Sequence, residues 1–132
     1  MRTVTTEVMR APETCWRVLT DPSTFTGWVP GLRRADVIVS DEVGRPREVQ
    51  FEFATSRTYT LLYSYEGHEV RFEPRLGKRD AVRGFTRLEP IDGGTRVTYG
   101  LEFGDARSEA EQALGDLEAL VSAFARWMHD AR

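Results

Sequence analysis

The chain has 132 residues, of which 40% are hydrophobic and 30% are charged, and its formal net charge is -3. This length and composition are typical of a soluble globular protein, and we predict one domain over residues 1–132. The small negative charge excludes a composition-level signal for nucleic-acid binding, and no apolar run is long enough to predict a membrane span.

The N-terminal segment predicts a strand followed by two short helices. Residues 4–8 alternate between polar and apolar side chains, which is the period of a half-buried strand. Pro12 suits the first turn of a helix, because the missing N–H costs nothing there. Asp21 followed by Pro22 gives the same kind of start for a second helix, which the turn at 27–31 ends.

From Leu32 onward the chain has the pattern of an antiparallel meander, with amphipathic strands separated by turn residues. The predicted breaks are residues 41–46, 56, 66–67, 76–80 and 92–94. Each strand has one apolar face, so the sheet needs one covering layer. The run at 37–39 is uniformly apolar, and alternation alone does not assign its two faces.

The C-terminal segment predicts a long amphipathic helix. Apolar residues recur at helical spacing across 110–128, and Ser108 with Glu111 forms a capping-box pattern. About 22 residues of helix measure roughly 33 Å, which is long enough to cross a whole sheet. We expect this helix to be the covering layer.

Five short sequence patterns resemble those of a known superfamily. They are Ala-Pro-Glu at 11–13, Trp16, Asp-Pro at 21–22, Trp-Val-Pro-Gly at 28–31 and Asp-Gly-Gly-Thr-Arg-Val-Thr at 92–98. Together with the element order, they are similar to the START-like (SRPBCC) superfamily, and in particular to its polyketide cyclase/dehydrase type. The resemblance implies the α+β helix-grip fold: a curved seven-stranded antiparallel sheet around a long C-terminal helix, with two short helices after strand 1.

The resemblance also implies a cavity between the sheet and the long helix. A bent sheet and a straight helix cannot stay in contact along their full lengths, so physical reasoning supports the same cavity. We therefore expect the protein to bind or carry a small hydrophobic ligand that is aromatic, polycyclic or lipid-like. The residues expected to bind it are Trp28, Phe51, Phe53, Tyr59, Tyr63, Phe72, Tyr99, Leu117, Val121 and Phe124.

Four tyrosines share the apolar parity of their strands, and buried phenols need hydrogen-bond partners. They are Tyr59, Tyr63, Tyr65 and Tyr99. Their hydroxyls either orient a ligand carbonyl or hydroxyl, or belong to an ordinary aromatic core that reaches water at its rim. Our hypothesis places Tyr63 and Tyr99, which are mid-strand, in the site. Arg57 and Thr86 are further polar candidates, whereas Gly84 is expected to mark a bulge or bend.

Conventional catalytic and cofactor patterns are missing from the sequence. His68 and His129 are the only histidines, so a histidine-rich metal site cannot be built, and no phosphate-binding or dinucleotide-binding loop is present. We expect no metal and no organic cofactor.

The lone Cys15 is expected to be a small buried hydrophobe, and it excludes an internal disulfide. With no leader pattern after Met1, we expect a cytoplasmic protein.

Three functions remain open. Ligand binding leads; the alternative is a cofactor-independent polyketide cyclase or aromatase that catalyses aldol cyclisation and dehydration, with no catalytic residue assigned. The third is a protein-interaction module, for which Trp16 and Trp127 are the candidate surface residues unless each simply packs against its own helix end. A homodimer is compatible with the sequence.

The basic residues at 75–87 are interleaved with acids, which favours a solvated surface over a phosphate site.

Overall fold

The computed structural model describes residues 2–54, 58–74, 82–103 and 117–130. In chain order the elements are β1 (Arg2–Val8), α1 (Pro12–Leu19), a 3-10 helix (Pro22–Gly27), β2 (Leu32–Ser40), β3 (Pro46–Phe53), β4 (Thr58–Glu66), β5 (Glu69–Pro74), β6 (Val82–Ile91), β7 (Gly94–Phe103) and α2 (Leu117–Asp130). This order confirms the prediction of two short helices after the first strand and a helix at the C-terminal end.

The seven strands form one antiparallel sheet in the order β1-β7-β6-β5-β4-β3-β2. Strands β2 to β6 each pair with the next strand in the chain, and β7 also pairs with β1. The sheet therefore has β1 at one edge and β2 at the other. A curved antiparallel sheet of seven strands with a C-terminal helix is the predicted helix-grip fold.

The predicted starts of the two short N-terminal helices are confirmed. Pro12 is the first residue of α1, and the Asp21 carboxylate caps the 3-10 helix by accepting a hydrogen bond from the Ser23 backbone N–H at 3.1 Å. The second helix is thus a 3-10 helix. Strand β1 ends at Val8, and the next backbone N–H, that of Met9, donates to His129 Nε2 at 3.2 Å.

The turns between strands follow the predicted breaks where the structure describes them. Gly67 and Gly93, with φ of 57° and 77°, occupy the left-handed region in the turns after β4 and β6. In the turn after β2, Asp41 Oδ1 accepts hydrogen bonds from the N–H groups of Val43 and Arg45 at 3.0 and 2.8 Å. The predicted breaks at 56 and 76–80, and the predicted helix start at 108–116, lie outside the described residues.

The apolar face of α2 is buried and packs in the hydrophobic core, as its spacing predicts. Leu117, Leu120, Val121, Phe124 and Met128 are all at most 7% exposed. The backbone of α2 lies closest to β1 and β7. The helix therefore covers the β1 side of the sheet most directly, and the inner face of β3, β4 and β5 lies further from its axis.

Gly84 lies at a point of close approach between two strands. The register of β6 with β7 is continuous through Gly84, and the pairing of β6 with β5 extends to Gly84 opposite Phe72, so the described pairing has no bulge there. A Cβ atom at this position would lie 2.0 Å from the carbonyl oxygen of Gly100. Glycine is required here because the backbone of β7 approaches too closely for any side chain.

Candidate ligand-binding site

The strand register brings several of the predicted site residues together on the inner face of the sheet. Tyr63 on β4 lies directly opposite Phe72 on β5, and Thr86 on β6 lies opposite Tyr99 on β7. The ring centroids of Tyr63 and Phe72 are 5.8 Å apart, and those of Phe72 and Tyr99 are 6.2 Å apart. We call Tyr63, Phe72 and Tyr99 the aromatic row.

Two members of the aromatic row are less completely enclosed than the buried core residues of the sheet. Tyr63 and Tyr99 are half-buried, and Phe72 is 7% exposed. By contrast, Val8 at the end of β1 and Val97 on β7 are 0% exposed. Two tyrosines in the middle of the inner face thus retain accessible surface on their side chains.

Thr86 and Tyr99 form a polar pair within this apolar surface. Thr86 is 1% exposed, and its side chain lies close enough to the Tyr99 phenol to lower the pKa of that phenol. Burial raises the pKa of Tyr99 to about 12, and the hydrogen bond to Thr86 opposes that rise to a smaller extent. The Tyr99 phenol therefore keeps its proton at neutral pH, in a form suited to hydrogen bonding with an uncharged oxygen.

Tyr65 shares the parity of Tyr63 but has a structural role. Its hydroxyl donates to the carbonyl oxygen of Pro46, and the Arg45 guanidinium lies over its ring at 4.5 Å. Burial raises the pKa of Tyr65, and the nearby charge of Arg45 lowers it by less. Trp16 contacts the same ring edge-on at 6.0 Å. The sequence carries no signal for the Pro46 contact, because it depends on the pairing of β3 with β4.

The remaining predicted site residues with described side chains are close-packed. Trp28 meets Phe124 of α2 at 5.1 Å between centroids, and Phe25 lies between Trp28 and Phe51. Trp28, Phe51, Phe53, Leu117, Val121 and Phe124 are each at most 5% exposed. They belong to the same hydrophobic core as the aromatic row, and their role as ligand contacts remains a prediction. The side chain of Tyr59 and the whole of Arg57 lie outside the described part of the chain.

Trp16 and Trp127 are explained by packing. Trp16 is half-buried against Tyr65 and His68, the latter at 5.7 Å between centroids. Trp127 covers Gly27 so closely that a Cβ atom there would lie 2.4 Å from the indole ring. Among the described residues, the exposed large hydrophobic side chains lie elsewhere, at Met9, Val37, Ile38, Val39 and Val43.

Cys15 is the small buried hydrophobe that its sequence context predicts. It is 0% exposed, and burial raises the pKa of its thiol above the ordinary value, against a smaller opposing effect of a hydrogen bond with Thr95. A thiol with a raised pKa is a poor nucleophile at neutral pH.

The described part of the chain offers no grouped metal ligands and no membrane-crossing helix. No three His, Cys, Asp or Glu side chains in it lie close enough together to hold a metal ion. None of its helices combines the length and apolarity needed to cross a bilayer.

Two arginines on the outer face, Arg71 and Arg87, are paired with the same acid. Glu69 accepts hydrogen bonds from Arg71 Nε at 2.5 Å and from Arg87 Nε at 2.9 Å, and the two arginines hold the pKa of Glu69 below its usual range despite partial burial. This favours the solvated, mixed-charge surface over a phosphate site.

Comparison with solved structures shows the same fold in proteins of low sequence identity. A START superfamily protein from Mycobacterium smegmatis matches with a TM-score of 0.80 at 16% identity, over 99% of this chain and 98% of that one. A STAR-related lipid transfer protein from Xanthomonas axonopodis matches with 0.73 at 18% identity, over 97% and 85%. The di-domain ARO/CYC protein StfQ of the steffimycin biosynthetic pathway matches with 0.71 at 15% identity, over 97% of this chain and 44% of that one.

No curated protein matches the chain. The family model described as "Polyketide cyclase / dehydrase and lipid transport" matches residues 1–131. The chain therefore belongs to this family, and it shares the fold of the solved START superfamily protein.

Proposed function

We propose that the protein binds a small hydrophobic ligand that carries a carbonyl or hydroxyl group. The apolar part of the ligand lies against the aromatic row, and its oxygen meets the Tyr99 and Thr86 hydroxyls. Family membership supports ligand binding or cyclase chemistry in general. The position of the ligand and its polar group are inferred from the inner face of this chain.

The observation that carries the proposal is the environment of Tyr99. Tyr99 lies on the inner face and packs against the hydrophobic core, yet part of its side chain remains accessible. A side chain inside the protein keeps accessible surface if an internal space lies beside its ring. Tyr63, which is also half-buried, would line the same space from the other side of Phe72.

The polar pair explains why this space would select an oxygen atom. A buried phenol that has one hydrogen-bond partner in the protein retains further capacity, because a hydroxyl has one donor and two acceptor sites. A ligand carbonyl placed at Tyr99 or Thr86 would use that capacity. A hydrocarbon of the same shape would leave it unused, so the pair favours the oxygen-containing ligand.

Polyketide cyclisation is the second candidate function, because the family description names it beside lipid transport. The protonated Tyr99 phenol could polarise a ketone for aldol closure in the same space. A reactive poly-ketone incubated with the purified protein tests this function. A changed product distribution supports it, and the same products as in the uncatalysed mixture contradict it.

The binding proposal is tested with two naphthalenes that differ by one carbonyl group, acetylnaphthalene and ethylnaphthalene. We expect the wild type to bind the ketone more tightly, as measured by titration of ligand fluorescence. Tyr99→Phe should weaken ketone binding about five- to tenfold, the value of one net hydrogen bond, and leave ethylnaphthalene binding unchanged. Equal losses for the two ligands, or no loss for either, would contradict the role of the Tyr99 hydroxyl.

Tyr65→Phe is the matched control, since it removes the same atom from a tyrosine on the same face of the sheet. The variant loses the hydrogen bond to Pro46 and should lose about 1 kcal/mol of unfolding free energy. Its affinity for acetylnaphthalene should equal that of the wild type. A wild type that binds neither naphthalene would refute the binding proposal itself.

A further inference from the structure

In the middle of the inner face, the side chains that keep accessible surface are aromatic. The described valines and leucines on the inner face of β3 to β7 are each at most 7% exposed. They are Val49, Leu61, Val70, Leu88, Val97 and Leu101. Tyr63 and Tyr99, on the same face, are half-buried. Among the described residues of these strands, a ligand would therefore find the aliphatic side chains enclosed and the two tyrosines accessible.

The aromatic row is continuous although two of its members come from strands that are not adjacent. Phe72 on β5 and Tyr99 on β7 are separated by β6, so their backbones lie about 9–10 Å apart, twice the usual strand spacing. Their ring centroids are 6.2 Å apart, so the two rings lean towards each other across β6. The residues of β6 at this point are small, since Gly84 lies opposite Phe72 and Thr86 lies opposite Tyr99. They leave room for the rings to meet.

The rings of the aromatic row are arranged so that they do not cover one another. The planes of Tyr63 and Phe72 are inclined by 31°, and those of Phe72 and Tyr99 are inclined by 55°. Neither pair is stacked face to face. Both centroid separations, 5.8 and 6.2 Å, lie in the range over which aromatic rings attract. A ligand with fused rings is long enough to lie against two adjacent members of the row at once.

We propose that this site selects a planar ligand with fused aromatic rings over an aliphatic ligand of the same size. This inference rests on the proposed function, because it names the class of ligand that occupies the same space. The ligand rings lie on the aromatic row, and the ligand oxygen meets Tyr99 and Thr86. Aromatic pairs are stabilised beyond the apolar area that they bury, because the charge distributions of the two rings attract. An alkyl chain gains from the buried area alone.

Three methyl ketones with the same number of carbon atoms test the ligand class. Acetylnaphthalene is planar and aromatic, acetyldecalin is its saturated ring analogue, and 2-dodecanone is an extended chain. Acetylnaphthalene is titrated by its fluorescence, and the other two are measured by its displacement. Each affinity is corrected for the partition of the ketone between water and octanol, which removes differences in hydrophobicity. We expect a corrected preference for acetylnaphthalene of about two- to tenfold over each saturated ketone.

Leucine variants show whether the rings of the row cause this preference. Phe72→Leu and Tyr63→Leu each replace a ring by an aliphatic side chain and should reduce the corrected preference at least about twofold. Tyr63→Phe keeps the ring and should restore most of the preference that Tyr63→Leu loses. The matched control is Phe85→Leu, because the half-buried Phe85 lies on the outer face of β6, where the Arg87 guanidinium covers its ring at 5.0 Å. This control should keep the wild-type preference.

The outcomes separate this inference from the binding proposal. Equal corrected affinities for the three ketones overturn the aromatic selectivity and leave ligand binding intact. A preference that persists in both leucine variants, or falls equally in Phe85→Leu, also overturns it, because the rings of the row would not be its cause. No binding of any ketone overturns both proposals. Circular dichroism checks the fold, and Tyr63→Leu, at a half-buried position, carries the test if Phe72→Leu does not fold.

Discussion

Two parts of the inner face contain similar residues and differ in how completely the protein encloses them. Beside α1, Val8, Cys15, Thr95 and Val97 are all 0% exposed, and the Thr95 hydroxyl donates to the Arg10 carbonyl at 2.7 Å. In the aromatic row, Tyr63 and Tyr99 are half-buried although they lie mid-sheet. We call the first group the closed end. The closed end is fully enclosed, whereas the aromatic row keeps accessible side-chain surface.

This difference indicates a division of roles on the inner face: the closed end stabilises the fold, and the aromatic row has surface available for a ligand. Close-packed residues contribute stability through both transfer from water and dispersion contacts, and they tolerate little change in volume. Residues beside an internal space contribute less to stability, and their unused surface is available to a ligand. The two parts should therefore respond differently to the same chemical change.

The largest expected difference is between two phenylalanines. Phe124 is 0% exposed in the packed core, and Phe72 is the middle residue of the aromatic row. Phe124→Ala should cost about 3–5 kcal/mol of unfolding free energy, the range for a buried phenylalanine. Phe72→Ala should cost roughly 1 kcal/mol less, because its surroundings are already incompletely filled. Urea unfolding at neutral pH measures both, and a costlier Phe72→Ala would contradict the division.

Much of the fold follows from local sequence signals, and these were sufficient for the element order. The Asp21-Pro22 cap, the alternation in 46–53 and the helical spacing of Leu117 to Met128 depend on near neighbours in the chain. Periodicity failed at Ile38 for a physical reason, since a bulge adds one residue and reverses the faces that follow it.

The candidate site was less predictable, because it depends on register between strands. The parity of Tyr63 and Tyr99 predicted their inward positions, but the pairing of Tyr99 with Thr86 requires the alignment of β6 with β7. The close approach that demands Gly84 is likewise a contact across strands. A single sequence gives the face on which a residue lies and does not give its neighbour on the next strand.

The second prediction uses pH to test how well Tyr99 is enclosed. Its pKa is raised from the ordinary value of 10.0 to about 12 in the folded protein. The folded state therefore holds the phenolic proton more tightly than the unfolded state, so this contribution to stability is complete below pH 10 and is lost as pH rises towards 12. The full contribution is about 2–3 kcal/mol.

Unfolding free energies of the wild type and Tyr99→Phe, measured across this range, isolate the contribution of Tyr99 from other groups that titrate in alkali. The wild type should lose stability more steeply than the variant between about pH 10 and pH 12. Tyr65, whose pKa is also raised, titrates in both proteins and cancels in the comparison. Parallel curves would mean that Tyr99 is as open to water as a surface tyrosine.

The third prediction enlarges two inner residues of the same strand, and its effect is the smallest. Val97 is 0% exposed at the closed end, whereas Leu101 is 7% exposed and lies opposite Gly84, which has no side chain. Val97→Leu should cost about 1–2 kcal/mol, because an added methylene has no room in a close-packed core. Leu101→Phe should cost less than about 1 kcal/mol, because the ring can enter the space beside the aromatic row.

The Leu101→Phe ring should also weaken acetylnaphthalene binding by occupying part of that space, whereas Val97→Leu should leave the affinity unchanged. Equal costs for the two variants would show that the inner face is packed uniformly and that no internal space lies beside Tyr99.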